Sequence, residues 1–546
     1  MHQFHMRPEY FEFLAGLVTA AVSLAVVSVR PGIVAQIGMT LRRTARRRAL
    51  WIAVCAFLGP CIRLAILPLA PIPSPTVHDE FVHLLAADTL LHGRLANPPL
   101  PFSDHFETIY VIQRPTYSAI YPLGTAAFLA TGWKIAGEPW FGVWMAMVLC
   151  CGAVAWMQYQ WLPPLAAWTG GLLCSFGIGI SSWWMNSYYG SEVAAAGGAL
   201  LLGALPALIR TARLRYAAIL SVGWTLVWFV RPYESVMLGV VTAVFLLGWL
   251  WRNRAVGAFI VIAAAVLLDF AGFCYHNWRV TGHPLTHPYS LLQQRYGVPR
   301  GLVWQKALPQ PPNLTPQQQR AYDYQWSDYR AERSFVHIWP LFGNTLKKIW
   351  AFYVGYPLTI PLLIGLLAAA GKRGNQKLRA MWIILGVSLS WSLLYPSIQT
   401  NYVAPVSCLF FAISSYGLLS MTRWCPRGRP VGIALAVGLC LGSALSGFRL
   451  VDARYLYYRP VPLSGRSVTA RLLESTAGSH LVFVRYGPDH SVHDEWVYNR
   501  ADIDAAKVVW ANDLGEDRNR QLMQYLAGRK VWLVEPDNGA RLQPYP

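Results

Sequence analysis

Apolar segments of spanning length follow one another along most of the chain and are separated by short polar stretches. A transmembrane helix needs roughly 17–25 apolar residues, and twelve segments approach that length, the shortest with help from their flanks. They are 11–29, 49–71, 139–161, 165–184, 191–209, 216–230, 235–251, 255–275, 346–370, 380–396, 402–421 and 430–448. The pattern predicts an all-α polytopic membrane domain of about twelve helices over residues 1–448, whose first helix is not cleaved as a signal peptide.

Basic residues indicate how these helices are oriented. Short runs such as RRTARRR (42–48) and RWCPRGR (423–429) lie between apolar segments. Loops rich in Lys and Arg stay in the cytoplasm, and placing every run there gives a consistent alternation. Three segments then lie outside: 72–138, 276–345 and 449–546. The stretch 119–133 is predicted to be interfacial or re-entrant, because a further span would break the alternation.

The segment 449–546 has a different pattern. HLVFVRY (480–486) and KVWLVEP (530–536) are strand-like and bounded by turn residues. Between them, GEDRNRQLMQYLAGRK has the acidic first turn of a helix. The sequence therefore predicts a small extracytoplasmic α/β domain at the C-terminus.

Composition supports a membrane protein and argues against a nucleic-acid partner. Charged residues make up 13% of the chain, whereas soluble proteins carry about 25%. Many of the basic residues behind the net charge of +20 form the loop runs, and no basic aromatic groove is present. The nine cysteines lie in or beside apolar segments without a CxxC pair, which favours neither disulfides nor structural zinc.

An acidic pair, Asp79 and Glu80, opens the first external loop in the stretch VHDEF. Helical spacing from Asp79 puts Phe81 and Leu84 on one face, with the acids and His83 around the other. This predicts an amphipathic helix on the outer membrane surface. Two interpretations of the acids remain open: chemistry at the mouth of the helix bundle, or stabilisation of the helix N-terminus through its dipole.

Further polar side chains lie at the predicted external helix ends. A guanidinium such as that of Arg231 suits a phosphate, and the alternative is an interfacial arginine paired with Glu234 or with lipid head groups. The rim MNSYYGSE (185–192) suits a hydroxyl-rich ligand, although tyrosines also favour the membrane interface. For Asp104 and Glu107 three interpretations remain open: a second carboxylate of the site, a metal ligand, or acids of an ordinary solvated loop.

Two charges, Arg63 and Asp269, fall within predicted spans. Counting along each helix at about 1.5 Å per residue places them at a similar depth below the outer surface. Intramembrane charges are normally paired, so the two are predicted to form a structural ion pair. In the tail, DHSVHDE (489–495) has the side chains of a ligand cluster but is predicted to be a solvated turn.

Several stretches together resemble the GT-C superfamily of glycosyltransferases, in particular bacterial enzymes similar to protein O-mannosyltransferases and lipid A aminoarabinose transferases. Besides the acidic pair they are HFETIYVIQRPTYSAIYPLGTAAFLATG, SWWMNSYYGSEVAAAGGALLLGALPAL, RPYES and TNYVAP, and the likeness covers most of residues 49–421. Two positions depart from the family pattern. Ile120 stands where a basic residue is expected, and Asn401 stands where a histidine is common.

The resemblance implies transfer of one sugar from a polyprenyl-phosphate carrier to a lipid, glycan or protein acceptor outside the membrane, with inversion at the anomeric carbon. It implies Asp79 as the catalytic base, with Glu80 beside it as a supporting acid or as one that orients the acceptor. Candidates for binding the donor phosphate are Arg231, Arg114 and His276. Candidates for contact with the sugar or the acceptor are His83, Asn186, Tyr188, Tyr189, Glu192, Tyr233, Glu234 and Tyr402. No cofactor is established, and a divalent metal is left open.

Two other functions remain open. A transporter or flippase of lipid-linked sugars would need polar residues near mid-membrane, whereas here they gather at the external helix ends. An inactive membrane scaffold with the same fold is favoured by the departures at Ile120 and Asn401. The predicted location is the bacterial inner membrane, with the C-terminal domain outside.

Overall fold

The structure is a computed structural model that describes residues 8–298, 304–333, 335–370, 374–392, 394, 399–457 and 465–546. Within these residues, eight helices are long and apolar enough to cross a membrane: Phe11–Val29, Arg48–Ala65, Trp140–Trp161, Ser191–Thr211, Pro232–Arg252, Val256–Thr281, Thr400–Met421 and Val431–Phe448. The chain is therefore a multi-pass membrane protein.

Helices make up most of the chain ahead of the C-terminal tail. In chain order they are α1 Pro8–Val29, α2 Pro31–Thr44, α3 Arg48–Ala65, α4 His78–Leu91, α5 Gly124–Ala136, α6 Trp140–Trp161, α7 Pro164–Gly177, α8 Ser191–Thr211, α9 Leu214–Trp228, α10 Pro232–Arg252, α11 Val256–Thr281, α12 Pro288–Tyr296, α13 Pro316–Arg333, α14 Phe335–Tyr353, α15 Gly355–Ala369, α16 Gln376–Ser392, α17 Ser407–Met421 and α18 Val431–Tyr457. Shorter elements are the 3₁₀ turns Ser103–Phe106, Thr400–Val406 and Pro426–Gly428, and the antiparallel strands β1 Val111–Ile112 and β2 Ser118–Ala119.

Small residues of α8 bring the centre of the bundle together. The helix is rich in Ala and Gly, and 83% of its apolar window is buried. A Cβ added at Gly198 would lie only 1.7 Å from the carbonyl oxygen of Pro405. Small side chains allow such close approach between membrane helices. The packing of α8 therefore positions the 3₁₀ turn Thr400–Val406, which carries Tyr402.

The predicted count of about twelve spans is not confirmed. Helix α7 ends at Gly177, short of the predicted span 165–184, and α9 has only 15 residues. The predicted span 346–370 is divided between α14 and α15, which meet at a bend of 97°. The span 380–396 corresponds to α16, and residues 393 and 395–398 lie outside the described residues. The stretch 119–133 was predicted not to span the membrane. It overlaps α5, which has 13 residues.

The prediction that α4 lies on the membrane surface is wrong. Ten of its fourteen residues are buried, and apolar side chains point to both sides of the helix. The ring of Phe81 stacks on Tyr498 of the C-terminal tail at 4.7 Å, and the guanidinium of Arg466 lies 4.4 Å from the same ring. The apolar face around Phe81 is therefore covered by the C-terminal domain.

The C-terminal tail contains the α/β unit that the sequence predicted. Its elements are β3 His480–Val484, β4 Val508–Asn512, α20 Glu516–Tyr525, β5 Lys530–Val534 and β6 Leu542–Pro544, preceded by α19 Gly465–Ser475. The strand order is β4-β3-β5-β6, with β3 parallel to both of its neighbours and β6 antiparallel to β5. Strand β3 is buried along its whole length, as expected for the centre of a parallel sheet.

The three segments predicted to lie outside contact one another. The backbone amide of Ala501 donates to Asp88 Oδ2 of α4 at 2.8 Å. Gln317 of α13 donates to Asn512 Oδ1 at 3.0 Å. The side-chain amide of Asn512 in turn donates to the carbonyl of Glu107 at 2.9 Å. First loop, long loop and tail thus form one layer at the same end of the bundle.

The predicted ion pair between Arg63 and Asp269 is wrong. Arg63 donates to Asn186 Oδ1 at 3.0 Å and to the carbonyls of Ala70 and Pro71. Asp269 instead accepts hydrogen bonds from the Thr225 hydroxyl, at 2.9 and 3.1 Å. Depth along a helix can be counted from sequence, but the direction in which a side chain faces depends on how the helices pack.

Cysteine labelling tests the predicted orientation. Exposed positions at the layer end of the bundle, Gln310→Cys and Asp517→Cys, should react with a membrane-impermeant thiol reagent in intact spheroplasts. The native Cys425, exposed in a basic loop, should react only after lysis. A background with both Cys61→Ser and Cys425→Ser removes the exposed native thiols of the described residues and so isolates the two introduced ones. Labelling of Cys425 in intact spheroplasts, without labelling of position 517, would show that the orientation is the reverse of the predicted one.

Candidate active site

Helix α4 begins with a cap supplied by Glu80. Its Oε2 accepts hydrogen bonds from the amides of Thr76 at 2.8 Å and Val77 at 3.3 Å, and its Oε1 accepts one from the amide of Tyr188 at 3.2 Å. An acid in the first turn that satisfies free amides stabilises the helix start. The capping interpretation of the acidic pair therefore applies to Glu80, which also ties α4 to the loop before α8.

Glu80→Gln is expected to destabilise the fold by about 1–3 kcal/mol, because one of the buried amides would face an NH₂ group instead of a carboxylate oxygen. The measurement is the thermal unfolding temperature of purified protein. Glu516→Gln is the matched control, since Glu516 is an exposed first-turn acid of α20, and it should melt like the wild type. A Glu80→Gln protein with wild-type melting would show that the cap contributes nothing.

Asp79 is held by two side chains rather than by the helix backbone. Tyr121 donates a hydrogen bond to Oδ1, and His78 Nε2 lies 3.1 Å from Oδ2. Burial raises the pKa of Asp79, but the charge of His78 and the hydrogen bonds from His78 and Tyr121 outweigh it and bring the pKa to about 2. The side chain keeps 22% of its surface exposed. Asp79 is therefore an ionised carboxylate that a ligand can reach.

Tyr121 reaches the site because the chain makes a close approach just after it. The amide of Gly124 donates to the carbonyl of Phe229 at 2.7 Å, and a Cβ at Gly124 would lie 2.6 Å from that oxygen. A residue without a side chain is needed for this approach. The contact holds the start of α5 against the end of α9, so Tyr121 and Arg231 come close together.

Arg231 lies directly before α10, over an aromatic ring. Its guanidinium carbon is 4.8 Å from the ring centroid of Tyr402, a cation–π distance. Burial lowers the pKa of Arg231, but the nearby charges of Glu234 and Asp79 contribute to a net rise above its ordinary value. Among the described residues, no ion pair between Arg231 and Glu234 is formed within 4.0 Å. The guanidinium thus remains available to an anion.

His83 completes the cluster one turn along α4 from Asp79. Its ring stacks on that of Tyr121, with centroids 4.8 Å apart. Burial lowers the pKa of His83 to about 4, with Asp79 opposing the shift and Arg231 adding to it. The ring is neutral at neutral pH. Of the residues predicted from sequence, Asp79, His83, Arg231 and Tyr402 therefore share one cluster around Tyr121.

Three other predicted site residues have structural partners. Asn186 Oδ1 accepts the hydrogen bond from Arg63, and the Tyr188 hydroxyl donates to the carbonyl of Pro73 at 2.8 Å. Tyr189 packs edge-on against a tryptophan ring. These contacts fasten the loop before α8 to α3 and to the chain leading into α4. They support the cluster from outside, and sugar contact by the three residues stays a prediction.

The remaining predicted residues lie elsewhere. Arg114 is exposed, and its backbone carbonyl accepts a hydrogen bond from an arginine of α12. The Tyr233 hydroxyl donates to a backbone carbonyl of α16. His276 and Glu192 are buried in α11 and α8. These positions do not bring the four side chains to Asp79, so their roles stay predictions.

The departures from the family pattern have simple structural settings. Ile120 is completely buried in the hydrophobic core, and the neighbouring Tyr121 is the residue that reaches Asp79. Asn401 is buried, and its Oδ1 accepts a hydrogen bond from the Thr400 hydroxyl. The sequence pattern includes the stretch that contains Tyr121 but does not single out this residue, because tyrosines are common at membrane interfaces.

The prediction of a solvated turn at 489–495 holds for its exposed residues but not for the buried His490 and Glu495. His490 Nδ1 lies 2.8 Å from Asp537 Oδ1, and buried Glu495 accepts hydrogen bonds from Tyr486 and from two backbone amides. His493 stacks on His78, beside Asp79. The sequence indicates no fixed partner for this segment. In the structure its partners come from the folded tail and from α4.

A small cavity lies between the long loop and the tail, next to this cluster. Tyr110, which contacts both His78 and Tyr121, forms part of its wall. Glu107 also lines it, and burial raises the pKa of Glu107 to about 7, with Asp104 adding to the rise. Asp104 itself pairs with Arg518 at 2.5 Å and is exposed enough to be an ordinary loop acid. Glu107, by contrast, is buried, and it is a candidate for contact with an acceptor.

Taken together, the described fold and site are those of a polytopic membrane protein with an acidic first long loop and a C-terminal α/β unit over the same end of the bundle. No protein-family model matches the sequence, and a search of curated proteins returns no match. Solved structures do match the fold.

Two matching structures are of the oligosaccharyltransferase of Archaeoglobus fulgidus. The first, AglB in complex with an inhibitory peptide and a dolichol-phosphate, is 12% identical over 89% of this chain and 69% of its own, with a TM-score of 0.52. The second, the apo form, has the same identity, coverage and TM-score. ArnT from Cupriavidus metallidurans bound to undecaprenyl phosphate is 11% identical over 89% and 92% of the chains, with a TM-score of 0.48. The oligosaccharyltransferase matches show that this chain shares the fold of that protein.

A metal site is not established among the described residues. One structure of the A. fulgidus oligosaccharyltransferase is a complex with Zn and sulfate. Here, both oxygens of Asp79 already have partners in Tyr121 and His78. In the part of the chain that the structure describes, no three His, Cys, Asp or Glu side chains are grouped as a metal site would require.

Proposed function

We propose that this chain is a membrane glycosyltransferase that moves one sugar from a polyprenyl-phosphate carrier to an acceptor at the end of the bundle covered by the C-terminal domain. One observation carries the proposal. An ionised, reachable carboxylate, Asp79, lies in one cluster with the available guanidinium of Arg231. A base and an anion-binding group close together are what transfer from a phosphate leaving group requires.

Asp79 is proposed as the base. It would take the proton from the nucleophile of the acceptor as that atom attacks the anomeric carbon. One displacement with one base needs no covalent intermediate, so the anomeric configuration should invert. Glu80 is proposed to hold α4 in place, because its oxygens are already occupied by backbone amides. This modifies the prediction that Glu80 orients the acceptor.

Arg231 is proposed to bind the carrier phosphate and to stabilise it as it leaves. A guanidinium presents paired donors that match phosphate oxygens, and Tyr402 holds it from one side. A dolichol-phosphate is bound by the AglB structure that shares this fold, which supports a lipid-phosphate carrier here. Neutral His83 and the phenol of Tyr121 are proposed to contact sugar hydroxyls.

Turnover of a defined donor tests the function. Purified protein in nanodiscs is given radiolabelled polyprenyl-phosphate mannose or polyprenyl-phosphate aminoarabinose, and released carrier and labelled lipid, glycan and protein are measured. Transfer that is lost in Asp79→Asn supports the proposal. Donor crossing a liposome without cleavage would favour the flippase, and neither activity with any donor would favour the inactive scaffold.

A further inference from the structure

A second and larger cavity lies against the opposite side of α4, under the C-terminal tail. Its volume is about 430 Å³, which is within the range of roughly 300–1,000 Å³ that small-molecule sites occupy. Helix α4 contributes Phe81 and Asp88 to its wall, α5 contributes Trp133, and α19 and the tail segment 498–510 supply the rest. At 3.6 residues per turn, Asp88 points away from Asp79 around the helix, so the cavity is separate from the Asp79 cluster.

Arg466 of α19 is fixed in the wall of this cavity but keeps free donors. Its guanidinium carbon lies 4.4 Å from the ring of Phe81 and 4.9 Å from that of Trp510. Its Nε donates to the carbonyl of Trp496 at 2.8 Å, and its Nη2 donates to that of Tyr498 at 2.9 Å. In the described part of the chain, Nη1 forms no hydrogen bond. Burial lowers the pKa of Arg466 to about 10, so the group is charged at neutral pH and its remaining N–H groups are held ready for a ligand.

Two exposed cations, Arg500 and Lys507, also line the cavity. The guanidinium carbon of Arg500 lies 4.5 Å from the ring of Trp133, and its Nη1 is 3.6 Å from Asp88 Oδ1. That distance is too long for a hydrogen bond. The ammonium of Lys507 donates to the backbone carbonyl of Glu474. Both cations therefore keep donors that a ligand can use.

Carboxylates of equal number lie beside these three cations. Asp88, Glu474 and Asp502 line the same cavity. Asp88 Oδ2 accepts a hydrogen bond from the amide of Ala501 at 2.8 Å, and Asp502 Oδ1 accepts one from the amide of Ala505 at 3.1 Å. Each of these two acids has a second oxygen for a further donor. A cleft that selects an ion is lined by one sign of charge, whereas here the Arg and Lys side chains and the carboxylates balance.

We propose that this cavity binds a neutral saccharide, as the distal part of a glycan that accepts the transferred sugar. Every sugar hydroxyl both donates and accepts hydrogen bonds, so a wall of mixed guanidinium, ammonium and carboxylate groups suits it. A phosphate or an amine would meet like charge in the same wall. The rings of Trp133 and Trp510 supply the apolar part of the wall that ligand sites normally have.

The position of the cavity excludes it as the place where the sugar is transferred. Asp88 lies nine residues after Asp79, roughly 13 Å along α4 at 1.5 Å per residue. A saccharide held beside Asp88 is therefore not the one that reacts, but a longer glycan could occupy both places. The acceptor role rests on the proposed function, and the saccharide site itself does not.

Binding of soluble oligosaccharides tests the site. Mannotriose, maltotriose and chitotriose are titrated by calorimetry into full-length protein in nanodiscs, with glycerol phosphate as an anionic probe, and at least one trisaccharide should bind. Ala505 is exposed and lines the cavity, so the indole of Ala505→Trp would occupy it without removing a hydrogen bond. This variant should weaken binding by roughly tenfold or more, because a ligand site buries most of its ligand. Glu474→Gln, which keeps the shape of the wall, should weaken binding by roughly fivefold.

Ala527→Trp is the matched control, since Ala527 is an exposed alanine of the same tail and does not line the cavity. It should bind like the wild type. Failure of all three trisaccharides to bind, or undiminished binding by Ala505→Trp, would overturn the saccharide site. Binding of glycerol phosphate alone would make the cavity an anion site and would overturn it too. If Ala505→Trp does not fold, the result with Glu474→Gln decides.

Donor hydrolysis separates this inference from the proposed function. Release of sugar to water from radiolabelled polyprenyl-phosphate mannose needs only the Asp79 cluster, so Ala505→Trp should keep the wild-type rate. Transfer to the bound trisaccharide should show a KM for the acceptor raised by the same factor as the binding constant, with kcat unchanged. If the wild type binds a trisaccharide but cleaves no donor, the proposed function fails and the saccharide site stands. If the donor is cleaved and no trisaccharide binds, the saccharide site alone fails. Transfer with an unchanged KM in Ala505→Trp would overturn the acceptor role.

Discussion

Asp79→Asn is expected to lower sugar transfer by about 10²–10⁴-fold, because an amide cannot accept the proton of the acceptor. The fold should survive. The cap of α4 belongs to Glu80, and asparagine keeps an oxygen for the hydrogen bond from Tyr121. The measurement is the initial rate of transfer from a radiolabelled polyprenyl-phosphate sugar, together with donor binding, which should be retained.

Asp104→Asn is the matched control for this variant. Asp104 is an acid of the same external loop, but it pairs with Arg518 at the surface, so its loss should leave transfer unchanged. Normal transfer by Asp79→Asn would show that the carboxylate only organises Tyr121 and His78. Loss of transfer together with a lower unfolding temperature would point to a defect of folding, and the comparison with Glu80→Gln separates the two effects.

The membrane region could be predicted in outline because apolar length is a local property. Its details could not. Helix α9 has 15 residues, and the bend of 97° between α14 and α15 divides one predicted span. A short helix is stable when neighbouring helices surround it, and the bend falls at Gly355, whose φ of 62° favours glycine. The composition of a sequence window indicates neither the packing around a short helix nor a bend between two helices.

The candidate site was predictable only where one stretch carried the signal. Asp79 and Arg231 could be found from their position at helix ends. The partners of Asp79 could not, because Tyr121 follows β2 and His493 belongs to the tail, and tertiary packing alone brings them to α4. The same packing explains why α4 is buried, since Tyr498 of the tail covers the ring of Phe81.

Arg231 offers the second large effect. Arg231→Ala is expected to lower kcat/KM for the donor by about 10²–10³-fold, the loss typical when a group that stabilises developing negative charge is removed. Arg231→Lys keeps the charge but not the paired donors, so its loss should be intermediate. It should appear chiefly as weaker binding of the free carrier, polyprenyl phosphate.

Arg279→Lys is the matched control, because Arg279 is an exposed arginine in the last turn of α11. This variant is expected to behave like the wild type. The alternative is that Arg231 only anchors the protein at the lipid head groups. That interpretation predicts unchanged carrier binding and unchanged kcat/KM in both Arg231 variants. The cluster argues for the first outcome, because Tyr402 holds the guanidinium inside the site and Asp79 and Tyr121 lie close enough to influence its charge. A lipid anchor would have no need of a carboxylate and a phenol beside it, whereas a phosphate leaving the anomeric carbon needs a cation close to the base.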